Sequence, residues 1–124
     1  SHRPDFRDGE QMRDFLYVKD AVEMTLHFAS DPAGCRAGGL FNLGSGEANT
    51  WLTLARAIFA ARGREPNISF IEMPEALRGK YQYFTKADIG RLRESGYVKK
   101  VTPLAEAVAD YVGNYLSEDR RLGD

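Results

Sequence analysis

Cysteine, histidine and uncompensated charge are what this sequence has least of, and each shortage removes a class of function. The single cysteine, Cys35 in Pro32-Ala33-Gly34-Cys35-Arg36, cannot close an internal disulfide and has no zinc-ligand spacing around it. A loop thiol in a reducing cytoplasmic compartment is therefore expected. The two histidines, His2 and His27, stand apart without a partner at metal-like spacing, so both are read as solvated or lightly bonded rings. No Ser-His-Asp or Cys-His order can be assembled. Lys plus Arg (17) against Asp plus Glu (18) leaves a net charge of -1, which removes the general argument for nucleic acid or an anionic membrane as partner. No run approaches the ~20 apolar residues of a membrane span, and no charged-then-apolar leader opens the chain. Internal repeats and low-complexity segments are absent as well.

What is present suits one domain: 124 residues, 43% of them hydrophobic. Residues 1–12 are polar and read as an irregular surface arm. The stretch Arg13-Asp14-Phe15-Leu16-Tyr17-Val18 reads as a strand feeding a helix from Asp20 to about Ser30, with Asp20 as cap and Glu23 in the reciprocal position. On that helix Ala21, Val22, Met24, Leu26, Phe28 and Ala29 form a wide apolar arc, and Glu23, His27 and Ser30 a narrow polar strip. Residues 39–44 read as a short buried strand, which with the first strand and helix makes a βαβ unit with parallel pairing. A second helix runs from Thr50 to about Arg62, a third strand covers 68–73, and a turn of helix reaches Arg78. Thr85 with Asp88 opens a helix that stops at Gly96. Thr102-Pro103 opens the last helix, and the tail from Glu118 to Asp124 is expected to fray.

Two places invite chemistry. Gly44-Ser45-Gly46 lies between a strand and a helix, where backbone N–H groups can cradle an anion. Counting G-x-G-x-x-G from Gly44 puts Asn49 at the third glycine, and no acidic residue closes a following strand, so a tight structural turn is the reading adopted. The second is a set of cations suited to phosphate: Arg13, with Arg78 and Lys80 flanking Gly79 beside Tyr81, Tyr83 and Phe84. Arginine can meet two oxygens at once, and a nearby ring can stack on a base or sugar face. Such a set describes an anionic, ring-bearing small ligand; surface charges with core aromatics explain the same residues.

Arg13-Asp14-Phe15-Leu16-Tyr17-Val18-Lys19-Asp20, then Phe41-Asn42-Leu43-Gly44-Ser45-Gly46, then Ala87-Asp88-Ile89 with Gly96-Tyr97, resemble in order and spacing the C-terminal part of the extended short-chain dehydrogenase/reductase superfamily. Within it, Ser1 to Phe6, Asp8 to Gln11 and above all Leu77-Arg78-Gly79-Lys80-Tyr81-Gln82-Tyr83-Phe84-Thr85 resemble the ADP-glycero-manno-heptose 6-epimerase family. The resemblance implies an α/β, Rossmann-type fold, of which this chain is the C-terminal substrate-binding part with a short βαβ unit and C-terminal helices. It also implies a division into a substrate-side arm (1–12), a βαβ segment that packs on a cofactor domain (13–46) and a substrate-binding subdomain (47–124).

In function, the resemblance implies an NADP-dependent isomerase of lipopolysaccharide inner-core precursor synthesis. Such an enzyme inverts C6 of an ADP-heptose by hydride removal and return. By position, Arg13 and Tyr81 match substrate-binding residues of the family, and Ser1 and His2 fall at the end of a substrate-contacting loop. The family's glycine-rich cofactor turn and its Tyr-x-x-x-Lys are not here: none of Tyr17, Tyr81, Tyr83, Tyr97, Tyr111 and Tyr115 has a lysine four residues later. With a first residue, Ser1, that is not methionine, the expectation is a fragment by cloning or proteolysis that carries no catalytic residue, binds no NADP and is inactive alone. Ser1-His2 could equally be a scar. The apolar arc of the first helix adds an expectation of homo-oligomers. Two competing readings stay open: another NAD(P)-dependent nucleotide-sugar epimerase or dehydratase, and a non-catalytic nucleotide-sugar-binding or assembly domain.

Overall fold

The computed structural model describes residue 1 and residues 3–119. His2 and most of the charged tail lie outside them. The described chain is a small α/β unit in which a minimal sheet holds three distant segments together. Strand β1 (Met12–Arg13) pairs antiparallel with β2 (Asn49–Thr50), Met12 opposite Thr50 and Arg13 opposite Asn49. On its other side Met12 donates to the Tyr83 carbonyl at 2.9 Å and accepts from the Thr85 N–H at 3.1 Å, a parallel bridge with Phe84. Residues 11–13 are thus the middle of a three-segment ribbon.

This differs from the expected βαβ unit. Among the described residues neither 39–44 nor 68–73 forms a strand, and the first strand ends at Arg13 instead of Val18. A strand needs a neighbour to take its N–H and C=O groups. The alternation of apolar residues is present in these segments, but no described segment offers them a ladder.

Helix α1 (Val18–Ser30) starts two residues earlier than expected, with Tyr17 and not Asp20 at the cap position. Asp20 faces inward, 8% exposed, where its carboxylate accepts the Thr102 N–H at 2.8 Å and the Thr102 hydroxyl at 2.9 Å. The expected cap thus ties α1 to the start of α5 (Leu104–Asn114), and Glu23 pairs with Lys99 instead of closing a capping box. The buried stripe of α1 is Asp20, Met24 and His27, while Val18, Val22 and Leu26 are about half exposed. Polar groups are buried because each has found a partner: His27 Nε2 lies 2.9 Å from the Ser95 hydroxyl. His27 is therefore a buried, bonded ring, not part of a solvated strip.

Two small cores follow. Met24, Leu92 and Tyr97 are packed by Leu16, Phe28, Ile89 and Val101 where α1 meets α4 (Gly90–Glu94). On the other side α3 (Trp51–Ala61) lies against α5, which buries Ala107, Val108 and Val112. The expected second helix forms, and Thr50 caps it by accepting the Thr53 N–H at 3.0 Å. The expected helix from Thr85 starts only at Gly90, because Thr85 and Asp88 are engaged elsewhere: the Thr85 hydroxyl accepts the Asp14 N–H, and Asp88 accepts that of Gly90. The short helix α2 (Pro32–Cys35) replaces the expected loop and leaves Cys35 exposed and free. A single 3₁₀ turn at Glu75–Leu77 matches the turn expected before Arg78.

Candidate functional site

The three-segment ribbon decides which side chains meet. Arg13 leaves from β1, Trp51 follows β2 directly, and Tyr81 lies three residues before Phe84, the bridge partner of Met12. The Arg13 guanidinium carbon sits 4.9 Å from the centre of the Tyr81 ring, a cation over a π face. It is held there by its own backbone: Nη1 donates to the Met12 carbonyl at 2.8 Å and Nη2 to that of Gln82. Two of the five guanidinium donors are thereby used, and the other three have no partner among the described residues. Tyr81 is fixed from behind by Trp51, whose indole Nε1–H donates to the phenol oxygen at 2.8 Å, and its ring meets Tyr83 edge-on at 5.4 Å.

The other expected site residues are distributed differently. Tyr83 is buried, 5.1 Å from Phe6, and Arg3 lies 4.9 Å over its ring. Arg78 turns away from Arg13 toward Glu72, at 3.6 Å, and the Met73 carbonyl, at 3.2 Å. With Ser1, Asp8 and Phe70 it lines a separate open cleft of about 380 Å³. Lys80 is exposed. The structure thus joins Arg13 to Tyr81, puts Ser1 with Arg78 in a neighbouring cleft, and does not describe His2. Trp51 was missed as a site residue because it falls on the same 3.6-residue stripe as Leu52, Ala55 and Ile58, which reads as core. Only the pairing of β1 with β2 shows that it faces Tyr81.

The Gly44-Ser45-Gly46 turn does hold an anion, and the anion is Asp14. Its carboxylate accepts the Ser45 N–H and hydroxyl, both at 2.7 Å, the Gly46 N–H at 3.0 Å and the Ala87 N–H at 2.9 Å. Partial burial works against the charged form, but the Ser45 hydroxyl and the three backbone donors outweigh it and hold the Asp14 carboxyl below its ordinary range. Gly46 needs φ +73° here, and a Cβ on Gly44 would come within 2.3 Å of the Ala87 Cβ. With its donors taken by Asp14, this turn does not fit a cofactor phosphate.

Ser95, His27 and Asp31 stand in the order of a hydrolase triad without its geometry. The Ser95 hydroxyl donates to the Leu92 carbonyl at 2.7 Å, and His27 Nδ1 is 4.0 Å from Asp31, beyond hydrogen-bond distance. Among the described residues no cluster of histidine, cysteine, aspartate or glutamate could hold a metal ion, and no helix is long and apolar enough to cross a membrane.

Residues 4–44, which carry β1, α1 and Asp14, match the NAD dependent epimerase/dehydratase family. Over 117 residues the chain is 49% identical to the ADP-L-glycero-D-manno-heptose-6-epimerase of Nitratidesulfovibrio vulgaris strain Hildenborough, covering 94% of this chain. It is 42% identical over 125 residues to the protein of the same name from Fusobacterium nucleatum subsp. nucleatum, covering 96% of this chain. The chain is similar to these epimerases along nearly its whole length. It spans 35% of the first relative and 37% of the second, about a third of each. The resemblance read from Arg13 to Asp20 and from Leu77 to Thr85 is borne out by these relatives, whose name is that of an isomerase.

Proposed function

We propose that this chain is the substrate-side portion of an NADP-dependent epimerase that acts at C6 of an ADP-linked glycero-manno-heptose. The observation that supports it most is the Arg13–Tyr81 pair. A guanidinium with three donors unpaired among the described residues lies 4.9 Å over a phenol ring, both fixed from behind, in a chain 49% identical to a heptose epimerase. Such a pair offers charge-assisted hydrogen bonds to a diphosphate oxygen and a ring edge to the sugar or base beside it. Ser1 and His2 belong to the same substrate side in this reading. The hydride and proton steps belong to residues outside this chain, which is inactive alone; the nicotinamide cofactor would supply hydride transfer in the whole enzyme.

The test uses the protein that carries this chain in its full reading frame. Arg13→Ala and Tyr81→Phe should each raise KM for the ADP-heptose while NADP affinity holds. An unchanged KM in both variants refutes the assignment. The family match over 4–44, common to many nucleotide-sugar enzymes, keeps one second reading: another NAD(P)-dependent nucleotide-sugar epimerase or dehydratase. Turnover of a different nucleotide-sugar, and none of the ADP-heptose, would favour it.

A further inference from the structure

We propose that Trp51 is a positioning residue that sets the hydrogen-bond direction of the Tyr81 hydroxyl, making it a donor to an acceptor oxygen of the bound ligand. The inference rests on the reading of Arg13 and Tyr81 as substrate contacts and adds a residue to them. An indole Nε1–H can only donate, so at 2.8 Å the Tyr81 oxygen must accept from it. The phenol proton then has no partner among the described residues and remains to be given away. Accepting one bond polarises the hydroxyl and strengthens the one it donates. The same ring lies under the Arg13 guanidinium, so a cation and a hydroxyl donor stand side by side, a pairing suited to a phosphate oxygen.

The position of Trp51 is itself held. Its N–H bonds the Gln11 carbonyl at 3.2 Å from the first turn of α3, and its ring meets Phe15 edge-on at 5.1 Å. The residue is 40% exposed, so these contacts and not burial alone set its place. Trp51→Phe keeps a smaller ring against Phe15 and removes the indole donor.

The test measures ADP binding by calorimetry, with NADP saturating, to the protein that carries this chain in its full reading frame, as wild type, Arg13→Ala, Tyr81→Phe, Trp51→Phe and the double variant Trp51→Phe/Tyr81→Phe. Trp51→Phe should weaken ADP about three- to tenfold, and the double variant should bind no worse than Tyr81→Phe, because the two side chains act through one hydroxyl. Trp51, the only tryptophan of this chain, also gives an indole N–H resonance, assigned by its loss in Trp51→Phe, which Tyr81→Phe should shift before any ligand is added. Wild-type affinity in Trp51→Phe overturns the inference, as does an equal loss on top of Tyr81→Phe. If Trp51→Phe melts early, Trp51→His, which keeps a ring N–H, should retain most of the affinity; a loss as large as that of Tyr81→Phe then overturns it. Failure of the underlying reading looks different: ADP fails to bind the wild-type protein at millimolar concentration, or binds it with no dependence on Arg13 and Tyr81.

Discussion

Replacing Asp14 by Asn should cost far more than the loss of a surface charge. The carboxylate receives four donors, two on each oxygen: Ser45 N–H and hydroxyl on one, Gly46 and Ala87 N–H on the other. An Asn amide has one oxygen, so whichever way it turns its NH₂ faces two protein donors. A hydrogen bond to a charged group contributes about 1.5–3 kcal/mol, and losing two at a half-buried site sets the cost at about 2–4 kcal/mol. With about 2.1 cal/mol/K of unfolding entropy per residue, that lowers Tm by roughly 8–15 °C for a chain of this length. Ser45→Ala removes one donor and should cost about 1 kcal/mol. The assay is thermal unfolding followed by circular dichroism at pH 7 and again at pH 3. The folded carboxyl is held low, so its contribution is complete above the ordinary carboxylate pKa of about 3.9 and fades as pH falls below it. The gap between wild type and Asp14→Asn should therefore narrow at pH 3. A variant melting within 3 °C of wild type at pH 7, or Ser45→Ala costing as much as Asp14→Asn, would refute the reasoning.

Asp110 should give a second acid-sensitive tie. Lys19 at 2.7 Å, the Tyr17 hydroxyl and Asn114 bring its carboxyl down to about 2, so its support of the α1–α5 junction should fade as pH falls from about 4 toward 2. Asp110→Asn should remove that part of the acid response, and an unchanged melting profile over pH 2–5 counts against it. Val22→Lys should leave Tm within about 2 °C, since Val22 is 51% exposed, while lowering binding of a hydrophobic dye and any self-association seen in sedimentation. Dye binding equal to wild type would mean that the Val18–Val22–Leu26 stripe is not the sticky face.

The helices were the legible part of the sequence, for reasons that can be named. Thr50 caps α3 because its own hydroxyl reaches the Thr53 N–H, an event contained in four residues. Asp20 and Thr85 carry the same local signal, yet their partners, Thr102 and Asp14, are about 70 or more residues away and prevail. Strands were misread because a strand is half of a pair: 39–44 and 68–73 have the right residues and no neighbour among the described segments. For the site, Arg13 and Tyr81 stand among the phosphate-suited cations and rings, a resemblance singles them out, and the structure brings them together. Trp51 could not be found that way, since periodicity assigns it to the core. Gly44-Ser45-Gly46 was correctly read as structural, but its partner Asp14 is invisible without the fold.

The most direct measurement is the structure of the chain with bound ADP. The expected result is a diphosphate oxygen within hydrogen-bond distance of the Arg13 guanidinium and the Tyr81 hydroxyl, with Asp14 still seated in the Gly44-Ser45-Gly46 turn. A diphosphate that displaces Asp14 from that turn, leaving Arg13 and Tyr81 untouched, would contradict the assignment of the site.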